Sequence, residues 1–304
     1  MGGLEKITIV AMPRDKFSTM EICLRNIQKH TPEPHELWVI SGGTPASLRQ
    51  RWEQRLAGKA RFTFLPEFQN GAQMRNLALE SIPTRLAVFV DSDVYVRPGW
   101  LAPLLECQAQ TGAAMVAPMI LDRDNRVHTA GNDFFITHQN GRAYASMALR
   151  YQHQKVLGPT NLTRRENDFC EVHCQLVVVE TAKRYRIYDE NLRELQEMDS
   201  GLTLSKNGCR MFFEPRSEVY LYYSQLVKEP ADIPFYLWKW DMKALRDGFD
   251  YFYRKWGLDV NENDSFGRYL QDVNNRVGFF SRRWPSGTSV ALDKALMSLK
   301  IPIR

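Results

Sequence analysis

Asp91 and Asp93 stand one serine apart at the end of an apolar run, in the stretch VFVDSDVYV over residues 88–96. Two carboxylates at that spacing can turn toward one point. A hard divalent cation such as Mg²⁺ or Mn²⁺ takes carboxylate oxygens, usually together with substrate phosphates and water. A nucleotide diphosphate is then a sensible third party, because the ion would neutralise charge on the departing group. The same pair also reads as the hydrophilic end of a strand leaving the core. D-x-D is short, so its place in the fold has to decide between the two.

Other residues could complete such a site. Arg75 and Asn76, in NGAQMRN, open the helix that precedes this strand. Arg75 can pair with phosphate or be a solvated helix residue, and composition favours the solvated reading. Glu194, Glu197 and Asp199 crowd a helix start in ELQEMDSG. Acidic side chains suit helix N-termini, but a carboxylate at a ligand edge can also take a proton from an attacking hydroxyl. In CEVHC, read as a strand, Cys170 and Cys174 share one face and His173 points to the other. No second Cys/His pair follows, so small buried residues are preferred there to a zinc site.

The elements that would position these residues alternate. KITIVAM reads as a first strand, STMEICLRNIQKH as a helix with Ser18 and Glu21 as its capping box, and HELWVI as a second strand. PASLRQRWEQRLAG is a helix, RFTFLP a third strand, and NGAQMRNLALES a helix stopped near Pro83. RLAVFV, apolar throughout, suits a central strand covered on both faces. The βαβαβαβ order implies a mostly parallel sheet with right-handed crossovers, and ligands bind beyond the carboxyl ends of such strands. Asp91 and Asp93 fall at that edge. Further on, GAAMVAPMIL, CQLVVVE, RMFFEP and EVYLYY read as strands and QEMDSGLTLSKNG as a short helix. Trp238, Met242, Leu245, Phe249, Phe252 and Trp256 make one helical stripe, expected to pack on the parent domain, with a dimer face or membrane-surface face as options. ALDKALMSLKIPIR reads as one more short helix, and SRRWPSG before it as a basic loop. The expected division is a domain over 1–229 and a helical C-terminal extension over 230–304.

The chain has 304 residues, 44% hydrophobic and 25% charged, an ordinary globular balance. Its net charge of +5 suits an anionic small ligand or a weak membrane contact and is too small to argue for nucleic acid. No apolar run approaches the roughly 18 residues of a membrane-spanning helix. Five cysteines, an odd number, fit reduced thiols. A cytoplasmic protein, with peripheral membrane association as an option, is the expectation.

The order of these motifs resembles glycosyltransferase family 2, inverting enzymes of the GT-A fold. ITIVAMPRDKFSTMEICLRNIQKHT is similar to that family's first strand, nucleotide loop and helix, and HELWVISGGT to its second strand. NGAQMRN resembles its N-G…R-N segment, VFVDSDVYVRPGWL its D-x-D strand and Pro-Gly turn, and QEMDSGLTLSKNGCRMFFEP its catalytic acidic segment. The resemblance spans roughly residues 6–222. It implies a Rossmann-like, mostly parallel sheet flanked by helices, binding a UDP-, GDP- or TDP-linked sugar. Pro13 and Arg14 would line the nucleotide pocket, and Ser41 stands where the family often has a base-contacting Asp. Arg75 would lie near the nucleotide, Asp91 at the ribose or donor sugar, and Asp93 on Mg²⁺ or Mn²⁺. Glu197 falls on the position of the catalytic base, with Asp199 as its rival. HTAGND (128–133) resembles a stretch near donor or acceptor, or is a polar turn around Gly131. Many relatives carry a metal-liganding His after the strand read as EVYLYY; here no histidine follows His173.

The expected reaction moves a sugar to an acceptor hydroxyl on a glycan, glycolipid or protein. Two other classes compete. A haloacid-dehalogenase-type phosphatase also uses a strand-end D-x-D, but on its first strand. A silent GT-A domain would bind glycan or a partner protein without turnover.

Overall fold

The computed structural model describes residues 5–122, 124–156, 161–222 and 229–260. SRRWPSG and the terminal ALDKALMSLKIPIR lie outside the described residues. The first half follows the expected alternation: β1 (Ile7–Met12), α1 (Met20–His30), β2 (His35–Gly42), α2 (Ala46–Arg55), β3 (Arg61–Leu65), α3 (Gly71–Ser81) and β4 (Leu86–Asp91). Then come β5 (Val94–Val96), α4 (Leu101–Thr111), β6 (Met115–Leu121), β7 (Val127–Thr129), the hairpin β8 (Asn132–Gln139) and β9 (Arg142–Leu149), and β10 (Arg165–Asn167). The chain continues with β11 (Cys174–Val178), α5 (Val179–Tyr185), α6 (Gln196–Lys206), β12 (Met211–Leu221), α7 (Asp232–Lys239) and α8 (Met242–Trp256).

The main sheet has the order β10-β12-β6-β11-β4-β1-β2-β3, with β5 on β12 and β7 on β6. The block β4-β1-β2-β3 is parallel throughout. β11 enters between β4 and β6 and runs antiparallel to both, so the sheet is mixed. Alternation along the strands assigns each residue to a face. On β4, Leu86, Val88 and Val90 join the core beneath α1, α2 and α4, whereas Ala87 and Phe89 join the one beneath α3, α5 and α6. A strand covered on both faces has no solvent side, which explains the unbroken apolar run before Asp91. Each such fully buried aliphatic contributes about 1.5–3 kcal/mol.

Several local expectations change. α1 starts at Met20 without a side-chain cap, so Ser18 and Glu21 form no capping box. A reciprocal capping box forms instead at α3, where Asn70 accepts from the Gln73 backbone and Gln73 accepts from that of Asn70. RMFFEP and EVYLYY form one strand, β12, which absorbs Pro215 at a bulge between Glu214 and Glu218. The single C-terminal stripe is broken into α7 and α8 by Asp241, whose side chain accepts from the Ala244 backbone and starts a new helix. Leu245, Phe249 and Phe252 on α8 are buried within the chain, Phe249 and Phe252 in one cluster with Leu192, Leu195 and Met198, so these residues present no dimer or membrane face. Among the described residues, no helix is long and apolar enough to cross a membrane.

Candidate active site

β4 delivers Asp91 to the carboxyl edge of the parallel block, where Met12 at the end of β1 lies opposite it. On the other side β11 runs in reverse and therefore begins where β4 ends. Cys174 faces Val90, and the Asp91 backbone N–H donates to the His173 carbonyl at 2.9 Å. The turn before β11 thereby brings Glu171 and His173 to the same edge. His173 Nδ1 is 3.4 Å from Asp91 Oδ2, and Asp91, Asp93 and His173 offer ligand atoms that all lie within 4.8 Å of one another. A histidine thus stands beside the two aspartates, brought there by the start of β11 and not by the segment after β12. The sequence signal was CQLVVV directly after His173, whose meaning depends on strand direction. In a parallel strand that residue would sit at the opposite edge.

Arg75 is not solvated. It is 1% exposed, and its guanidinium donates to Asp91 Oδ1 at 3.2 Å, the Val172 carbonyl at 2.9 Å and Gln196 Oε1 at 3.0 Å. One side chain thus ties α3, the end of β4, the turn before β11 and the start of α6. Gly71 makes room for it: a Cβ there would stand 2.4 Å from Arg75 Nη1. Gln196, unmarked in the sequence reading, is held in turn by the Leu192 carbonyl at 2.8 Å.

The charges around this edge are unequal. Burial opposes ionisation of Asp91, but the His173 hydrogen bond and the Arg75 and Arg14 guanidiniums outweigh it and hold the carboxyl near 2. For Asp93 the Arg14 charge does not outweigh burial. Its Oδ1 is buried with no hydrogen bond, and burial together with repulsion from Asp91 and Asp15 pushes it up to about 7. Burial, then the nearby Arg14 charge, lowers His173 to about 4, leaving it the neutral imidazole that ligates metals. Arg14 contacts both ring nitrogens of His173 and lies 3.5 Å from Asp91 Oδ2. The chain's own guanidinium thus occupies the cation position. Two carboxylates and an imidazole suit Mn²⁺ or Mg²⁺, and the orphaned Asp93 oxygen is the acceptor that a metal ion would satisfy.

Pro13, Arg14, Arg75, Asp91 and Glu197 line one cleft, together with Asn70, Glu194, Phe235, Trp238 and Lys239. Glu197 stands in the first turn of α6, where burial and the adjacent Glu194 raise its carboxyl to about 7. α7 forms the facing wall. Its buried Asp232 accepts from the Phe17 and Ser18 backbones at 2.8 and 3.1 Å, and Lys239 bridges Asp15 at 2.9 Å and Glu194 at 3.6 Å. That contribution was invisible in a segment read as an appendage.

Asp93 does not line the cleft itself but sits beside Asp91 and His173, and three other expected positions lie apart. Ser41 is fully buried and hydrogen-bonded to Thr44. Asp199 is 1% exposed and turned to α8, where Lys255 Nζ and Trp256 Nε1 donate to it, both at 2.9 Å. In HTAGND, Asp133 pairs with Arg165 at 2.7 Å and also with Arg150.

The family model for glycosyl transferase family 2 matches residues 9–169, just over half of the chain. The chain belongs to glycosyltransferase family 2. Among solved structures it is similar to a crystal structure of GalNAc-T7 with UDP, GalNAc and Mn²⁺, at TM-score 0.58 and 16% identity. That match covers 90% of this chain and 55% of the other, so the chain spans about half the length of that structure. No curated protein matches the sequence. The fold is GT-A, a mixed, Rossmann-like sheet flanked by helices. The phosphatase alternative falls with this. Its nucleophile belongs on a first strand, whereas Asp91 ends β4 and is engaged by Arg75.

Proposed function

We propose that this family 2 glycosyltransferase is an inverting enzyme that moves a sugar from a nucleotide diphosphate donor to an acceptor hydroxyl, with Glu197 as general base. One observation carries the reading: Glu197 and Asp91 line the same cleft, at the carboxyl edge of the parallel strands. The acceptor oxygen attacks the anomeric carbon, the bond from that carbon to the diphosphate oxygen breaks, and its electron pair leaves with the nucleotide. Glu197 takes the acceptor's proton. A single displacement inverts the anomeric centre. Asp199, held by α8, serves as a helix anchor in this reading.

The residues fit a divalent ion. Asp91, Asp93 and His173 would hold Mn²⁺ or Mg²⁺, which would supply charge neutralisation for the departing diphosphate. Arg75 fixes the Asp91 carboxylate from below, and its hydrogen bonds to the Val172 carbonyl and Gln196 set the distance between the D-x-D edge and the helix bearing Glu197. Arg14, which lines the cleft next to Pro13, would pass from His173 to the donor phosphates when donor binds. The GalNAc-T7 structure holding UDP and Mn²⁺ on the same fold supports a nucleotide-sugar donor here.

The test follows a broad panel of nucleotide sugars and acceptors by NMR, reading the anomeric configuration of product against donor. Inversion with a Glu197→Gln variant that binds donor but does not turn over is the expected result. Retention of configuration, or normal turnover by that variant, would overturn the assignment.

A further inference from the structure

A second set of metal-type ligands overlaps the donor-side group at His173 and adds two residues that group does not use. His128 on β7, Glu171 and His173 each place a ligand atom within 4.8 Å of the others. The His128 and His173 rings meet edge to face at 5.4 Å. Glu171 is 8% exposed, and the charges that bear on its carboxylate are Glu197, Glu194 and Asp91, which oppose its ionisation, and Arg14, which favours it. A buried carboxylate is costly to keep ionised unless a cation meets it, and two imidazoles stand within ligand reach of the same point.

The segments that carry these groups are cross-linked. Asn132, just after β7, donates from its backbone to Asn167 Oδ1 at 2.9 Å and from its side chain to the Phe169 carbonyl at 3.2 Å. The Asp168 backbone donates to the Asn132 carbonyl at 3.1 Å, and the His173 carbonyl is fixed by Asp91. The ligands therefore come from strand and turn backbone that is already bound together, as a metal site requires.

We propose that His128, Glu171 and His173 form a binding site for a borderline transition-metal ion such as Zn²⁺, sharing His173 with the carboxylate-rich Asp91/Asp93 group. Two imidazoles and one carboxylate favour zinc-like ions, whereas two carboxylates and one imidazole favour Mn²⁺ or Mg²⁺. The shared imidazole makes the two sites compete, so a zinc-like ion withdraws His173 from the donor-side group. Arg14 can yield in either case, because Asp15 and Glu194 already face its guanidinium.

The test uses the full chain, stripped with chelator and titrated with Co²⁺ as the visible stand-in for Zn²⁺. One equivalent should give d–d absorption that Zn²⁺ abolishes. Glu171→Gln and His128→Ala should each weaken Co²⁺ binding about 10- to 100-fold. Asp93→Asn should keep the Co²⁺ spectrum while losing Mn²⁺ binding followed by electron paramagnetic resonance. Wild-type Co²⁺ affinity in Glu171→Gln, which preserves shape and should fold even if His128→Ala does not, would overturn the proposal. So would loss of the Co²⁺ spectrum in Asp93→Asn. The Mn²⁺ arm reports the Asp91/Asp93 site separately, so failure there leaves the Co²⁺ result readable.

Discussion

Two acid-x-acid pairs, Asp91/Asp93 and Glu197/Asp199, do opposite things with one spacing. Asp91 and Asp93 stand at a strand end and the turn that follows, where side chains two apart can face one point, and they share a ligand cluster with His173. Glu197 and Asp199 stand in the first turn of α6, where residues two apart are turned by about 200°. There one carboxylate faces the cleft and the other faces α8. The same spacing therefore gathers charge on a strand edge and divides it on a helix. The lesson is that a pair of rival bases on one helical turn is a choice between two sides of the helix.

The sharpest way to break that comparison is Glu197→Gln. Turnover should fall roughly 100- to 10,000-fold, as loss of a general base does. In the wild type, kcat/KM should rise with pH and level off above about 7, because the base must be ionised. The same group has a stability signature. Its folded value lies above the ordinary 4.5, so the folded state holds the proton more tightly than the unfolded chain. Stability from this group is complete below 4.5 and declines as pH rises toward about 7. Glu197→Gln should remove this group's share of the decline, read as a thermal midpoint that falls less steeply across the interval, the share of Asp93 remaining.

Arg75→Met tests the strand-edge pair from the other side. It leaves Asp91 buried beside His173 without its best-buried cation, and loss of one partner of a buried pair costs about 3–5 kcal/mol. Urea unfolding would show it as a lowered midpoint. An unchanged midpoint would mean that Arg14 alone sustains the Asp91 charge.

Asp199→Asn should do the reverse of Glu197→Gln. Loss of the charged acceptor for Lys255 and Trp256 should cost about 1–3 kcal/mol of stability while the pH profile of turnover keeps its shape. A collapse of turnover at full stability would exchange the roles of the two carboxylates.

Much of this arrangement could be read before the structure, and the missing parts share a cause. The βα alternation through β4 is written in local periodicity, so the placing of Asp91 at the ligand edge needed no tertiary information. His173 did. CQLVVV declares a strand but not its direction, and only antiparallel pairing with β4 puts the preceding residue beside Asp91. Arg75 looked solvated because a helix residue's burial depends on what packs over it, here Gln196 and the turn before β11. The break between α7 and α8 was hidden because the apolar stripe continues in register across it, while Asp241 acts through one backbone hydrogen bond.

That break supplies the smallest test. Asp241 caps α8, the helix that carries Lys255 and Trp256 to Asp199, by accepting from the Ala244 backbone at 2.8 Å. Asp241→Ala should cost about 1 kcal/mol, the usual worth of such a cap. If α8 serves only to anchor Asp199, the loss should appear in the unfolding midpoint while the approach of kcat/KM to its plateau near pH 7 stays fixed. A shift of that limb would mean that the two faces of α6 are coupled. The helix would then transmit the state of Asp199 to Glu197, and the division of charge between its two sides would be incomplete.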